Sequence, residues 1–312
     1  MPTDRGFSLS HQKVALELSF RGGLAGYTEL AVTPTHADLR HIYLHARSME
    51  IQRVLCNEKV ASFTHTDAHA TLTPLKDVHG HAQAKRATFS ATSQAAEGEL
   101  QITLPDGVRA ERVPGSTDGS EDEYAPITVR IDYILADVQE AIHVVVPTAE
   151  APYRVPHLYT RPTGPNSARC WVPCVDSLWD RCTWELEFVV PRTLATDAPD
   201  DEPDMLVIAS GELTEHAVHP HDPTKSIFYY TQPVATSVQH VAFCAGPFVL
   251  ARLSPAGTDG CEALAFCLPA HEHELRTTAQ FTWQAIEFIS SEYGSYPFAS
   301  FKLVFVDDTL VD

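Results

Sequence analysis

The alternation of apolar and polar side chains with a period of two is the feature that most limits how this chain can fold. Every second residue is apolar in segments 14–20, 127–133 and 184–190. Successive side chains of a strand point to opposite faces, so each segment predicts an antiparallel strand with one buried face. The apolar members are Val14, Leu16, Leu18, Phe20, Ile127, Val129, Ile131, Tyr133, Trp184, Leu186, Phe188 and Val190.

Shorter runs rich in β-branched and aromatic residues extend this pattern, many of them bounded by Gly, Pro or Asp. They are GYTELAV, LRHIYL, ELQITL, AIHVVVP, MLVIASGEL, SIFYYTQ and VAFCAGPF. Together they predict a mainly β fold, with one large and mostly antiparallel β-domain over residues 1–252.

The pattern changes after Pro269. The segment HEHELRTTAQFTWQAIEFISSEYG places apolar residues at helical intervals and ends at Gly294, and FKLVFVDD then predicts a strand. A helix and a strand cannot enclose a core by themselves. We therefore expect residues 253–312 to begin a second domain that the chain does not complete. The apolar residues at helical spacing are Leu275, Ala279, Ile286, Ile289 and Tyr293.

Three polar segments, 65–88, 113–126 and 193–204, interrupt the strands. Because they contain few large apolar side chains, ordering them would bury little surface against the conformational entropy lost. We predict that each is a surface loop.

Charge and cysteine content limit the partners and the compartment. The formal net charge is -19, from 41 acidic and 22 basic residues, and binding nucleic acid requires clustered Lys and Arg. We expect weak or no binding of duplex DNA by this chain alone.

The N-terminus lacks the order of a signal peptide, and no apolar run approaches the roughly 20 residues of a membrane span. Seven cysteines fit reduced thiols, so we expect a soluble intracellular protein without membrane partners.

Two histidine-containing segments could suggest a metal site. HEHEL at 271–275 departs from His-Glu-x-x-His because position 275 is Leu, and His271 and His273 point to different helix faces. Glu272 and Glu274 suit a solvated helix N-terminus instead. The second segment is a polar loop in which nothing fixes ligand geometry. We predict no metal ligands and no cofactor. The histidines of this loop are His65, His69, His79 and His81.

The stretch ARCWVPCVDSLWDRCTWELEF, residues 168–188, is the other candidate site. Cys170, Cys174 and Cys182 supply only three thiols at spacings unlike a zinc knuckle. A nucleophilic Cys174 would need an activating histidine, and His157, the nearest in sequence, has no evident reason to approach. We predict buried structural cysteines and no catalytic residues.

The charged and aromatic residues of this stretch predict a packed corner. Arg169 and Asp176 are expected to form a bidentate ion pair that ties the loop down. Trp171, Trp179 and Trp184 are expected to cover that pair.

An ordered set of segments resembles the N-terminal half of the zinc aminopeptidases of the aminopeptidase N type. The segments are ARCWVPCVD, WELEFVVP, ASGELTEH, YYTQPVATSVQHVAFCAGPF and EYGSYPFASFKLVFVDD. The resemblance implies a saddle-shaped antiparallel β-domain followed by the start, a helix plus a strand, of a thermolysin-like domain. CWVPCVDS followed by CTWELEF is most similar to the nuclear branch of that superfamily, which belongs to the general transcription factor TFIID.

The chain departs from the pattern Arg-x-x-Phe-Pro-Cys-x-Asp-Glu-Pro of active family members. Active members also place a Gln or Glu upstream to hold the substrate amine, and residues 158–168 contain neither. An ammonium group that enters a closed site without that partner loses its hydration without compensation. This loss costs on the order of several kcal/mol. The pattern is matched at Arg169, Pro173, Cys174 and Asp176 and not at Val172, Ser177 and Leu178.

The resemblance thus implies a non-enzymatic scaffold in the nucleus that supports assembly of the RNA polymerase II preinitiation complex. Its partners would be the largest TBP-associated factor, the histone-fold TBP-associated factors and TBP, with promoter DNA near the initiator engaged only in the assembled complex. Two alternatives stay open: a zinc aminopeptidase whose catalytic motif lies beyond residue 312, and a β-rich interaction module unrelated to transcription.

Overall fold

The computed structural model describes residues 4–20, 22–68, 70, 81–94, 97–113, 124–136, 141–161, 166–194, 204–255 and 260–307. The helices are α1 (His81–Gln94), α2 (Glu272–Ala279) and α3 (Thr282–Tyr293). The strands are β1 (Phe7–Glu17), β2 (Leu24–Pro34), β3 (His41–Leu44), β4 (Glu50–Cys56), β5 (Lys59–Val60), β6 (Ser62–His65), β7 (Leu100–Thr103), β8 (Ile127–Leu135), β9 (Ile142–Val145), β10 (His157–Thr160), β11 (Cys182–Pro191), β12 (Leu206–Ala209), β13 (Glu212–Val218), β14 (Lys225–Thr236), β15 (Phe243–Gly246), β16 (Val249–Arg252), β17 (Glu262–Cys267) and β18 (Ser300–Val304).

An eight-stranded sheet in the order β13-β14-β11-β1-β2-β8-β4-β5 forms the largest part of the fold. Its neighbouring strands are antiparallel except β1 and β11, which run parallel with Val14 opposite Leu186. The prediction of antiparallel strands is therefore wrong for this one pair. Parallel partners require a long connection, and here most of the β-domain lies between the two strands.

The predicted buried face is confirmed: the twelve apolar residues of the three alternating segments are all buried. Leu18 and Phe20 lie beyond the end of β1 but still enter the core. This core packs the large sheet against two smaller ones, β12-β15-β10-β9 and β3-β7-β6. The runs of β-branched and aromatic residues form strands as predicted, since each overlaps one or two of them.

The C-terminal part contains the sheet β16-β17-β18, against which α2 packs. The predicted single helix is two helices, because the backbone leaves helical geometry at Phe281 (φ -99°, ψ 1°). Leu275 and Ala279 of α2 are buried, whereas Ile289 and Tyr293 of α3 are exposed. The predicted domain boundary near residue 252 falls between β16 and β17, which pair with each other. This boundary stays a prediction.

One predicted loop is partly wrong, because residues 81–94 form α1. The segment HAQAKRATFSATSQ is rich in residues with high helix propensity, although its weak apolar stripe conceals the helical period. Parts of all three predicted loops, namely 69, 71–80, 114–123 and 195–203, lie outside the described residues. No described helix combines the length and the apolarity that crossing a membrane requires.

Candidate functional site

Arg169 is the centre of a buried polar cluster at the corner formed by residues 166–176. It lies in a single 3-10 turn, Ala168–Cys170. Its Nε donates to Asp176 Oδ2 at 2.9 Å, its Nη1 to Glu99 Oε1 at 3.0 Å and its Nη2 to Asn166 Oδ1 at 3.1 Å. The predicted ion pair between Arg169 and Asp176 is confirmed. It is made through Nε alone, because Nη1 donates to Glu99 and Nη2 to Asn166 instead of to a second oxygen of Asp176.

Both carboxylates of the cluster are withdrawn from water, since the side chains of Glu99 and Asp176 are 0% exposed. Each accepts one further hydrogen bond: Glu99 Oε2 from Ala46 N at 3.1 Å, and Asp176 Oδ1 from Gln239 Nε2 at 2.7 Å. Burial lowers the pKa of Arg169, but Glu99 and Asp176 together raise it above its usual value. Arg169 therefore stays charged, and its cluster joins four separate segments of the chain.

His45 is the histidine that lies beside this corner. Its backbone pairs with Cys174 in both directions, at 2.8 and 3.0 Å, and its Nδ1 accepts a hydrogen bond from Asp176 N at 3.0 Å. Burial and the charge of Arg169 lower the pKa of His45 to about 3, so its ring is neutral. No local sequence pattern predicts this contact, because His45 and Asp176 are 131 residues apart.

His157, the histidine nearest to Cys174 in sequence, is engaged elsewhere. Its Nδ1 donates to Val155 O at 2.8 Å, and its Nε2 accepts from Asp307 N at 3.3 Å. It therefore connects β10 to the segment after β18.

Cys170, Cys174 and Cys182 are buried free thiols, as predicted. Burial raises the pKa of Cys174 well above its usual value and that of Cys182 to about 12. A thiol with a raised pKa carries little of the thiolate that nucleophilic attack requires. The packing therefore supports a structural role.

Two of the three tryptophans expected to cover the corner are buried in the core. Trp171 and Trp184 are buried, and Trp184 Nε1 donates to Thr236 O at 2.8 Å. The prediction is wrong for Trp179, which is 76% exposed. Ser177 Oγ accepts a hydrogen bond from Trp179 N at 3.2 Å, and this local turn directs Trp179 away from the core.

The histidines considered as metal ligands form no metal site within the part of the chain that the structure describes. Among the described residues, no group of three or more His, Cys, Asp or Glu could hold a metal ion. The HEHEL segment is the start of α2, with Glu272 and Glu274 in its first turn as predicted. His65 makes a hydrogen bond to Ala46 O at 2.9 Å. His81 begins α1, while His69 and His79 lie outside the described residues.

Active aminopeptidases carry the amine-holding Gln or Glu in the segment that corresponds to residues 158–168. The structure describes 158–161 and 166–168 of this segment. Asn166, the one side-chain amide in this segment, already accepts from Arg169 through its Oδ1. Its amide oxygen is thus committed to the corner.

Comparison of sequences finds relatives that are named as transcription initiation factors. No protein-family model matches the chain. It is 29% identical over 355 residues to transcription initiation factor TFIID subunit 2 of Schizosaccharomyces pombe, covering 96% of this chain and 29% of that protein. The proteins of the same name from Danio rerio and Drosophila melanogaster are each 30% identical, covering 98% and 99% of this chain and 24% of theirs. The chain thus spans about a quarter of the length of these relatives.

Comparison of structures gives zinc peptidases with the same fold. Yeast LTA4 hydrolase in complex with bestatin has a TM-score of 0.66 at 13% identity, covering 96% of this chain and 37% of that one. An M1 zinc metallopeptidase from Deinococcus radiodurans has a TM-score of 0.62 at 17% identity, covering 98% and 58%. At such low identity the likeness concerns the fold alone, and it confirms the mainly β, aminopeptidase-like architecture.

Proposed function

Because the chain is a homologue of transcription initiation factor TFIID subunit 2, we propose that it forms part of a non-enzymatic scaffold subunit of TFIID. The observation that carries this proposal is the similarity to TFIID subunit 2 over nearly the whole chain in distant organisms. In this role the protein works in the nucleus, supports preinitiation complex assembly and helps TFIID to engage the initiator region of core promoters.

The corner around Arg169 supports a role without catalysis. Arg169 and Asp176, which match active aminopeptidases, hold each other and neighbouring segments. Cys174 is buried with a raised pKa. These residues are explained by packing, and none of them needs a substrate.

The charge of the chain supports protein partners over DNA. With 41 acidic and 22 basic residues, the chain carries a net charge of -19, which disfavours binding of a polyanion. We propose that it contacts TBP, the largest TBP-associated factor and the histone-fold factors, and that other subunits supply most of the affinity for promoter DNA.

Affinity purification of the full-length tagged protein from nuclear extract tests the proposal. We expect TBP and the TBP-associated factors in comparable amounts. Their absence, with the bait folded and abundant, would refute the scaffold role and favour an interaction module unrelated to transcription. In a second assay, this chain is titrated with promoter duplex at about 0.15 M salt, where tight binding would contradict the argument from charge.

A zinc aminopeptidase is the second candidate, and the fold shared with zinc peptidases favours it. Zinc content and hydrolysis of an aminoacyl reporter by the full-length protein decide between the two. We expect neither stoichiometric zinc nor turnover. Turnover abolished by a chelator and restored by zinc would establish the enzyme instead.

A further inference from the structure

A cavity of about 580 Å³ lies between β18 and the ends of β12 and β14. One wall is formed by residues 208–212, another by 235–237 and a third by residues 298–302 together with Val304 and Val306. Arg169, Glu99 and Asp176 are not among the described residues that line it, so it is distinct from the corner described above.

Aromatic side chains form much of the cavity wall. Tyr296 packs edge-on against Phe298 and Phe301, with ring centroids 5.4 and 5.9 Å apart. Tyr159 and Phe243 also line the cavity. Because a cavity of about 150 Å³ is enough for one benzene ring, this one can take an aromatic side chain together with its neighbours in a peptide.

The charge of the lining is opposite to that of the chain as a whole. Arg181 and Lys302 line the cavity with a single carboxylate, that of Glu212, among the described residues. Arg181 is exposed and makes no ion pair with any residue that the structure describes. In a chain with 41 acidic and 22 basic residues, this lining is a local excess of positive charge.

Lys302 holds the cavity wall in shape. Its Nζ donates to Ala209 O at 2.8 Å and to Gly211 O, and it lies 5.1 Å from the centre of the Tyr230 ring. These contacts tie β18 to the connection between β12 and β13. Burial lowers the pKa of Lys302 to about 8, so it remains mostly charged at neutral pH.

An exposed apolar pair lies next to Arg181 in sequence. Leu178 and Trp179 are both exposed, on a loop fixed by the buried Asp176 and by the turn at Ser177. An exposed tryptophan is a type of residue that often contributes strongly to protein interfaces, because it offers a large contact area and has only two side-chain torsion angles to fix.

We propose that this cavity binds a short acidic peptide segment of another protein, with an aromatic side chain among Tyr296, Phe298 and Phe301 and a carboxylate beside Arg181. The proposal rests on the proposed scaffold function, because the occupant is taken to be a segment of a partner subunit. The excess positive charge of the lining favours an acidic peptide over a basic one. The charged side chains of Arg181, Lys302 and Glu212 favour a peptide over a purely apolar molecule.

Fluorescence anisotropy with a labelled peptide, Asp-Glu-Phe-Asp-Leu-Glu, tests the proposal on the purified chain. We expect saturable binding with a Kd of about 10–100 μM. Replacement of Phe in the peptide by Ser, or of its acids by Lys, should abolish binding. Arg181→Glu should weaken binding at least about tenfold at low salt, and Arg276→Glu on the exposed surface of α2 is the matched control.

A second variant tests the cavity without changing charge. Ala299 is an exposed residue of the lining, so Ala299→Trp should fill the space and weaken binding, whereas Ala87→Trp on the exposed surface of α1 should not. Urea unfolding curves confirm that each variant is folded. Absence of saturable binding to the folded chain, equal binding of the lysine peptide, or unchanged affinity in both cavity variants would overturn the proposal.

The outcome is separable from that of the scaffold function. If TFIID subunits co-purify but the peptide does not bind, the cavity proposal is wrong and the scaffold role is unaffected. If the peptide binds, and binding weakens as expected in the altered peptides and the cavity variants, but no TFIID subunit co-purifies, the cavity is a peptide site and the scaffold role is wrong.

Discussion

Replacing Arg169 by methionine removes the cation that pairs with two buried carboxylates, Glu99 and Asp176. Arg169→Met keeps most of the apolar stem but loses the hydrogen bonds to Asp176, Glu99 and Asn166. The side chains of Glu99 and Asp176 are 0% exposed, so water cannot replace these bonds without opening the corner. The variant therefore leaves two like charges facing each other in the interior.

Breaking a buried ion pair from one side destabilises a protein by about 3–5 kcal/mol. Each carboxylate retains one other donor, Ala46 N for Glu99 and Gln239 Nε2 for Asp176. We therefore expect a loss of about 3 kcal/mol in the free energy of unfolding, near the lower end of that range. A second substitution, Glu99→Gln, removes one uncompensated charge and should restore at least about 1 kcal/mol.

Urea unfolding of the purified chain, followed by tryptophan fluorescence at pH 7, measures both effects. Arg192→Met is the matched control, because its ion pair with Asp204 spans 3.6 Å and its partners are 44% and 57% exposed. That control should lose less than about 1 kcal/mol. If Arg169→Met were no more destabilising than the control, the argument that the corner depends on a desolvated cation would be refuted.

Three further changes test other parts of the fold by the same unfolding assay. His45 has a folded pKa of about 3 and an unfolded pKa near 6.5, so stability should fall below pH 6.5 by up to about 1.4 kcal/mol per pH unit, and His45→Asn should flatten this slope. Gly98 has φ +131°, and a Cβ there would lie 2.3 Å from Leu44 O, so Gly98→Ala should lower stability by more than about 2 kcal/mol, and an unchanged midpoint would contradict the close approach. Trp184→Phe loses the hydrogen bond to Thr236 O and leaves space in the core, so it should cost about 2 kcal/mol, and a loss below about 0.5 kcal/mol would contradict that account.

Local pattern was enough to predict the buried faces but not how the strands pair. Trp184 and Phe188 are buried and Glu185 is exposed, as alternation requires. The parallel pairing of β1 with β11 depends on chain topology, which a period of two does not encode. Helix α1 was missed for a related reason: a helix whose residues are mostly exposed has the polar composition of a loop.

The candidate site was predictable only within its own segment. Arg169 and Asp176 are seven residues apart, so their pairing could be proposed from chemistry and proximity. Glu99 and His45 reach the same corner from 70 and 131 residues away. Nothing in their local sequence separates them from solvent-exposed charged residues, and only the folded chain shows that they are buried.

The corner also explains why matching the aminopeptidase pattern does not establish catalysis. Pro173 O accepts a hydrogen bond from the buried Gln12, and Cys174 pairs with β-domain backbone. Arg169 and Asp176 pair with each other and also bind Glu99 and Gln239 from other segments. A chain with this corner needs these residues for packing whether or not it binds a substrate, so the match reports the fold. Ser177, where active relatives have Glu, instead accepts a hydrogen bond from Trp179 N in an exposed turn. The residues that match the pattern thus belong to the packed corner, whereas Ser177, which departs from it, belongs to the exposed turn.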